Sequence, residues 1–582
     1  MDIFMDILNR FSDSVNKFPD LIAIKEGKRR LTYRQLDAAS DLVAKYLQEN
    51  QFTEQLIGLH LKSSIELVIC ILGSIKAGNG YVCIDPTYPD NRKQFVAEKA
   101  ELSLVITIEP VTFDINKAVC YSEILEQRDN LQQTIIKPLT YDLATVIFTS
   151  GSTGTPKGIM LRQENIVSFV GTFVDVTEQD CIAQFSSISF DAFVFELWVA
   201  LSYGASMCVV DSETLLYKNR FYETAIENKI SMAFITTALI NNGILDHFIG
   251  IASFRRLYFG GEAVQRNALI PVFNKLDFEI VHVYGPTETT VFCLKKTLNE
   301  LWESIPLGKP FANATAMLID EQGKQITEAG VKGEILIGGA GVSRGYLGDP
   351  QLTHASFIEL EGKRYFKTSD LATLNEFGEF VFIGRKGNTV KLHGYRVDLN
   401  EVTYAIQAIE PNVIAETLLY CDDQENRYLV SFICHGKMSE SEVSQALKQV
   451  LPDYMLPSQI IKLDAFPVNF NGKVDKGSLV KILDGFKAEN SESESIEDRV
   501  LNIWRKVLGN RSVSYDDKYF EVGGNSVLLL KLKRELDKEF GIKIKMNDLF
   551  SNATVLDQAN MLQLNMDLQR ISSRSPVAVK EI

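Results

Sequence analysis

The residues best equipped for chemistry come first between Thr149 and Gly158, where Thr149-Ser150-Gly151-Ser152-Thr153-Gly154-Thr155-Pro156-Lys157-Gly158 follows an apolar run from Leu143 to Phe148. Glycines let backbone N–H groups close on an anion, hydroxyls add donors and a lysine adds charge, so this is the composition of a phosphate cradle. A solvated Gly/Ser linker shares part of that composition, but it neither follows a buried strand nor carries Pro-Lys-Gly. Pro156 stands where the second glycine before the lysine of a Walker A loop belongs, so the run is not that loop.

Four further constellations follow in chain order. Tyr284-Gly285-Pro286-Thr287-Glu288-Thr289-Thr290 offers an aromatic ring for a base and oxygens suited to Mg²⁺ on phosphates. Asp370 closes the strand-like run Tyr365 to Ser369, where its carboxylate can hold ribose hydroxyls. Gly384 to Val397 is a basic, glycine-punctuated hairpin holding Arg385, Gly387 and Lys391, and Asn471-Gly472-Lys473-Val474-Asp475-Lys476 is a turn that presents a lysine. Near the end, Phe520-Glu521-Val522-Gly523-Gly524-Asn525-Ser526-Val527-Leu528-Leu529 places a serine at the start of an apolar helix, which an N-cap alone would also explain.

These motifs need elements to position them. Short β-rich runs, Leu56–Leu61, Tyr81–Ile84, Leu102–Ile108, Thr145–Thr149, Met207–Val210, Met232–Thr236, Arg256–Phe259 and Ile280–Tyr284, alternate with amphipathic segments. That alternation predicts an α/β fold with parallel-type sheets covered by helices. After Gly333 strands and tight turns predict a β-rich region. The expected organisation is a large core over 1–386, a small α+β subdomain over 387–483, an acidic linker over 484–495, a small helical bundle over 496–566 and a polar tail over 567–582.

A chain of 582 residues exceeds one core, and 46% hydrophobic with 23% charged residues is ordinary globular composition. A net charge of −15 argues against a nucleic-acid backbone as partner. The longest apolar runs fall short of the roughly 20 residues that span a bilayer, and the acidic N-terminus lacks a signal-peptide n-region. The expected setting is therefore cytoplasmic, without a membrane. Eight cysteines without a CxxC pair are expected as buried free thiols, and no HExxH occurs.

Taken together and in this order, the motifs resemble the amino-acid-activating adenylation domains of non-ribosomal peptide synthetases, members of the adenylate-forming superfamily, over roughly residues 10 to 480. Leu31-Thr32-Tyr33, Lys76 to Val82 with Asp85-Pro86, Gly333 to Tyr346 and Leu451-Pro452-Asp453-Tyr454-Met455-Leu456-Pro457 extend the resemblance. It implies ATP and Mg²⁺, with Thr149, Ser150, Gly151, Ser152, Thr153, Gly154 and Lys157 at the phosphates and His282, Tyr284, Thr287 and Lys391 in the nucleotide site. Glu288 is implied at Mg²⁺, Asp370 and Arg385 at ribose, and Lys473 between the substrate carboxylate and the ribose. His282 stands where the family usually has Asn, Ser369 replaces a usual glycine, and Gly387 sits where an acidic hinge residue is expected. Ser526 resembles the peptidyl-carrier serine that carries 4'-phosphopantetheine, which implies a phosphopantetheinyl transferase as partner.

By the same resemblance the substrate pocket is lined by Asp191, Ala192, Phe195, Phe234, Tyr258, Gly260, Val283, Val291 and Phe292, closed by Lys473. Asp191 is the only carboxylate of that set and suits an α-ammonium, while apolar walls suit a branched aliphatic side chain. The pattern is similar to that associated with isoleucine, with valine and leucine as competitors. The expected activity is ATP-dependent formation of the aminoacyl adenylate, then transfer to the chain's own pantetheine thiol and on to a downstream enzyme in trans. An acyl- or aryl-acid ligase of the same superfamily would leave Asp191 unpaired. A non-catalytic carrier scaffold would have no need of Lys473, Glu288 and Asp370.

Overall fold

The computed structural model describes the chain apart from residues 1–5, 132–134, 138, 140, 150–155, 242, 262–263, 265, 303, 388, 393, 411–412, 422–426, 435, 464–465, 468–473, 475, 486–494, 509–512, 525 and 573–582. Two compact units partition it, Met1–Glu401 and Val402–Ile582.

In the first unit each predicted run lies on a strand. Parallel strands Glu279–Tyr284, Arg256–Gly260, Met232–Thr236, Cys181–Gln184, Ser206–Val209 and Ile22–Glu26 form the middle of a nine-stranded sheet, bordered by antiparallel strands. A seven-stranded sheet joins Gly80–Cys83, Leu56–His60, Val105–Thr107 and Ala118–Cys120 in parallel to Leu143–Thr149, which turns back as Lys157–Arg162. Strands buried on both faces read as continuous apolar runs, which is why they are legible in sequence. Cys181–Gln184 and Ile22–Glu26 escape that reading, because they mix polar residues into four or five positions.

Helices Ile65–Lys76 and Ala192–Ser202 are buried almost all round and lie in the main hydrophobic core. Glu196, inside the second, is buried with them. It accepts the backbone N–H of Phe185 and Ser186 and the Ser186 hydroxyl, so it ties the helix to the loop before it. Burial raises its carboxyl to about 7 against those hydrogen bonds.

The β-rich region expected after Gly333 begins earlier, as Ala314–Ile319 and Gln325–Ile326 join four later strands in a six-stranded antiparallel sheet. The second unit carries the hairpin Ile414–Cys421 with Arg427–Cys434, the parallel strand Gln459–Lys462, and helices Ile496–Leu508, Ser526–Phe540, Met546–Ser551 and Val555–Ser572. Trp504 is buried in that bundle, its indole N–H donating to Gln558 Oε1 at 2.8 Å. All eight cysteines are free thiols, but Cys421 is exposed at a hairpin end and Cys83 and Cys120 are half-buried, which corrects the expectation that all are buried. Among the described residues no helix is long and apolar enough to cross a membrane.

One irregularity sets the position of Asp370. Between strands Gly333–Gly339 and Lys363–Leu374 the pairing steps from Glu334↔Leu371 to Leu336↔Lys367, so Thr368 to Asp370 oppose Ile335 alone. The bulge is pinned by Thr368 Oγ1 donating to the Ile335 carbonyl at 2.8 Å and accepting Asp370 N–H at 3.0 Å. Ser369 consequently sits at φ +61°, where a Cβ is strained and the family's usual glycine is not. Ser369→Gly is therefore expected to stabilise the first unit by about 0.5–1 kcal/mol, the left-handed penalty less the added entropy of glycine in the unfolded chain. Urea unfolding of the first unit measures it, and a loss of stability would show that the Ser369 side chain makes a needed contact.

Candidate active site

The parallel strands deliver their C-terminal ends to one region of the first unit, the usual place for a site in such sheets. Tyr284 ends one strand, and its hydroxyl donates to Asp370 Oδ2 at 2.5 Å. Arg385 pairs with Asp370 across the antiparallel ladder, with Nε 3.4 Å from Oδ1 and Nη2 donating to the Thr368 carbonyl at 3.3 Å. Lys391 comes from the hairpin Thr389–Leu392 with Tyr395–Asp398 and lies 5.3 Å from the Tyr284 ring centroid. Burial pulls the Lys391 ammonium down, opposed by the charges of Asp370 and Asp191. Two carboxylates that sequence places 179 positions apart, Asp191 and Asp370, thus both act on the charge of Lys391.

Asp191 precedes the helix Ala192–Ser202 and accepts the Thr287 hydroxyl at 2.6 Å. Burial raises its carboxyl to about 6, with Thr287 and Lys391 pulling the other way. A cationic group arriving beside it would favour the ionised form further. Phe195, Phe234, Tyr258 and Phe292 form one aromatic cluster: Phe195 lies 5.2 Å from Tyr258 and 5.5 Å from Phe292, and Phe234 lies 5.3 Å from Phe292. Ala192, Val283 and Val291 are buried in the same core. The Tyr258 hydroxyl is held at its far end by Arg256 Nη1 at 3.4 Å. Gly260 is required by the sheet itself, since a Cβ there would meet the Val283 carbonyl oxygen at 2.2 Å. Thr290 and Val291 both have positive φ, +61° and +65°, and Thr290 is fixed by its hydroxyl on the Gly341 carbonyl at 2.7 Å. Such strain in non-glycine residues gathers at ligand sites.

Glu288 has partners that sequence reasoning missed. Arg396 Nη1 sits 2.9 and 3.0 Å from its two carboxylate oxygens, and the Tyr346 hydroxyl donates to Oε1 at 2.7 Å. Burial would raise the Glu288 carboxyl, but Arg396, Tyr346 and Lys157 together hold it below the ordinary value. Both oxygens of this carboxylate are thus engaged by Arg396, and Oε1 by Tyr346 as well. Lys157 lies 5.4 Å from the Tyr346 ring, its ammonium lowered by burial and by Arg396. Arg396 and Tyr346 stood inside motifs already noted, yet pairings across 108 and 58 residues leave no trace in local spacing.

His282 stacks on Phe259, with centroids 5.0 Å apart and planes at 14°, and its Nδ1 is 2.8 Å from the Pro306 carbonyl. Burial lowers its pKa to about 4, so the ring is neutral; since a carbonyl only accepts, Nδ1 carries the proton and Nε2 is the acceptor. Thr149 ends its strand with a buried hydroxyl that has no hydrogen-bond partner among the described residues, a donor that suits a phosphate oxygen. Ser150, Gly151, Ser152, Thr153, Gly154 and Lys473 lie outside the described residues. Ser526 begins the helix Ser526–Phe540, though its side chain is likewise outside the description. Gly387 has φ +85°, and a Cβ there would meet nothing within 4 Å.

The AMP-binding enzyme family matches residues 11–347, and the phosphopantetheine attachment site family matches residues 498–562. Bacitracin synthase 1 of Bacillus licheniformis is 34% identical over 95% of this chain, which spans 11% of that protein. Tyrocidine synthase 1 of Brevibacillus parabrevis is 32% identical over 94% of the chain, which spans 51% of it. Among solved structures, holo-PA1221, described as an NRPS protein containing adenylation and PCP domains, superposes with a TM-score of 0.79 at 26% identity over 96% of each chain.

The Glu288–Arg396 pair makes a measurable statement about stability. Arg396→Met would leave a buried, uncompensated carboxylate and is expected to cost about 3–5 kcal/mol. Adding Glu288→Gln should recover most of that loss, because the charge needing a partner is gone. Because the folded pKa of Glu288 is depressed, its contribution is present above the unfolded value of 4.5 and lost as pH falls below it. Urea titrations of the single and double variants at pH 7 check this; a double variant as unstable as Arg396→Met would mean that Arg396 acts through packing.

Proposed function

Because the chain belongs to the AMP-binding enzyme family and carries a phosphopantetheine attachment domain, we propose that it is an amino-acid adenylating module that loads its own carrier. The cofactors of those two domains are ATP with Mg²⁺ and 4'-phosphopantetheine. The observation that carries the reading is the joining of two unlike subsites by the charge of one half-buried lysine. Asp191, backed by Thr287, precedes the helix that carries Ala192 and Phe195 of the apolar cluster, Asp370 stands with Tyr284 and Arg385, and the charge of Lys391 bears on both carboxylates.

In this reading Asp191 receives the α-ammonium and the cluster of Phe195, Phe234, Tyr258 and Phe292 receives the side chain. The one hydroxyl of that cluster, on Tyr258, already accepts from Arg256, so a polar side chain would find few partners there. The substrate is a branched aliphatic amino acid, isoleucine first, then valine or leucine. Asp370 and Arg385 hold the ribose, His282 offers a neutral acceptor to the base, and Thr149 with Lys157 and the loop between them holds phosphate oxygens. The substrate carboxylate attacks the α-phosphorus, pyrophosphate leaves, and Lys473 offsets the approach of two anions. Ser526 would hold 4'-phosphopantetheine, which when attached would supply the thiol that accepts the aminoacyl group from the mixed anhydride with AMP as leaving group. Large core, small subdomain, linker and carrier follow the boundaries 1–386, 387–483, 484–495 and 496–566, with Gly387 as the hinge between the first two. The module works in the cytoplasm, is primed by a phosphopantetheinyl transferase and passes its residue to another synthetase or tailoring enzyme.

A panel of amino acids in ATP–pyrophosphate exchange tests the substrate. Isoleucine, valine or leucine should give the highest rates, with less than about 200-fold separation among the three because one methylene contributes only about 1–3 kcal/mol; preference for a charged or aromatic amino acid would overturn the pocket assignment. Ser526→Ala should abolish the mass increase on incubation with a phosphopantetheinyl transferase and coenzyme A while leaving exchange intact. A pantetheine adduct persisting in that variant would place the attachment elsewhere.

A further inference from the structure

Glu196 is a carboxylate in an apolar setting. It lies between Phe195 and Leu197 in the helix Ala192–Ser202, and none of it is exposed, although glutamate is rarely buried. Its oxygens turn back to the loop before the helix. Oε1 accepts the Phe185 N–H and the Ser186 N–H at 3.1 Å each and the Ser186 hydroxyl at 2.8 Å, while Oε2 takes the Ser186 N–H at 3.3 Å. An apolar side chain would fill the same place in the core at no desolvation cost, so packing alone does not call for this residue.

What those bonds enclose is Asp191. Residues 185–191 join the strand Cys181–Gln184 to the helix, and Asp191 is the last of them, immediately before Ala192. Turns run through the segment: Phe190 N–H donates to the Ser187 carbonyl at 3.0 Å, and Val194 N–H to the Asp191 carbonyl at 2.9 Å. Two further contacts hold its first half, the Gln184 amide on the Ser186 carbonyl at 2.6 Å and the Ser187 hydroxyl on Asp85 Oδ2 at 2.8 Å. The start of the loop is therefore fastened to the helix the loop leads into, five residues past Asp191. Thr287 fixes the far end, at the Asp191 side chain.

We propose that Glu196 is a positioning residue, which ties the start of this loop to the helix and so holds Asp191 where the substrate's α-ammonium binds. The inference rests on the proposed role of Asp191 as the ammonium site. Ionisation sets the strength of the tie, because a carboxylate accepts hydrogen bonds more strongly than a neutral carboxyl group does. Burial lifts the Glu196 carboxyl to about 7, opposed by the hydrogen bonds from Phe185, Ser186 and Gln184. The other carboxyl groups of this region are Asp191, lifted by burial to about 6, and Asp85 beyond Ser187. The tie is thus at full strength above about pH 7 and weakens as pH falls through that value, before Asp191 itself takes a proton. A weaker tie costs affinity for the amino acid and leaves the chemical step alone, since the partners of Glu196 all lie in the loop and its flank.

The test uses the full chain with Glu196→Gln, Ser186→Ala and Asp191→Asn. ATP–pyrophosphate exchange is followed from pH 6.5 to 8.5 at saturating ATP and Mg²⁺, with the amino acid that exchanges fastest in the unaltered chain. Glutamine keeps the shape and one acceptor oxygen, so folding is preserved, and Ser186→Ala weakens the same tie from the loop side. At pH 8.5 Glu196→Gln should raise KM for the amino acid about fivefold and Ser186→Ala about threefold, with kcat within about twofold, as expected when a hydrogen bond to a charged group becomes neutral or is lost. Between pH 8.5 and 6.5 KM should rise about threefold in the unaltered chain and less than about 1.5-fold in Glu196→Gln, whose side chain does not titrate. Asp191→Asn should raise KM more than either. KM raised by Asp191→Asn but unchanged in Glu196→Gln and Ser186→Ala would overturn the positioning role and leave the proposed function standing, and a Glu196→Gln pH profile parallel to that of the unaltered chain would do the same. Exchange with no amino acid, or KM unmoved by Asp191→Asn, would overturn the proposed function and the positioning role with it.

Discussion

A carboxylate can stay ionised away from water only where a cation is buried with it, and the candidate site is an answer to that constraint. Glu288 and Asp370 are buried and Asp191 is half-buried, and Arg396 and Arg385 pair with the first two while the charge of Lys391 bears on Asp370 and Asp191. The Glu288–Arg396 pair matters most for architecture. Arg396 belongs to the hairpin after Gly387, Glu288 follows a strand of the nine-stranded sheet, and Tyr346, their third member, lies on the edge of the seven-stranded sheet. One charged cluster thus ties together three elements with no shared backbone ladder.

Backbone approach is the second constraint. The sheet brings Val283 so close to Gly260 that no side chain fits between them, which explains a small pocket residue without reference to a ligand. The bulge at Thr368 to Asp370 turns one carboxylate toward Tyr284 and Arg385, and it puts Ser369 into a left-handed conformation. Strain at Ser369, Thr290 and Val291 surrounds the same region, consistent with a site whose geometry outranks local preference.

The second unit shows the reverse economy. Its helical bundle is legible from helical spacing, yet the buried Lys531 donates to the hydroxyl of Tyr428, on the strand Arg427–Cys434 outside that bundle. Polar groups of this kind contribute little to hydrophobic burial but set which surfaces meet, because a misplaced partner would leave a desolvated ammonium unsatisfied.

The sequence by itself determined the class of the fold, since strands buried on both faces must be apolar runs, and the bundle, since a helix covering a core repeats its apolar face every 3.6 residues. It determined the family as well, because glycine, proline and charged residues in ordered motifs are local features of the chain. Residues such as Asp370, Tyr284, Arg385 and Lys391 could be nominated in that way. Only the tertiary structure decided who meets whom: that Arg396 and Tyr346 satisfy Glu288, that Thr287 holds Asp191, that Pro306 sets the tautomer of His282, and that Tyr428 covers Lys531. Those pairings join positions up to 108 residues apart, and a buried charge selects its partner by proximity and desolvation in the folded chain, neither of which local spacing records.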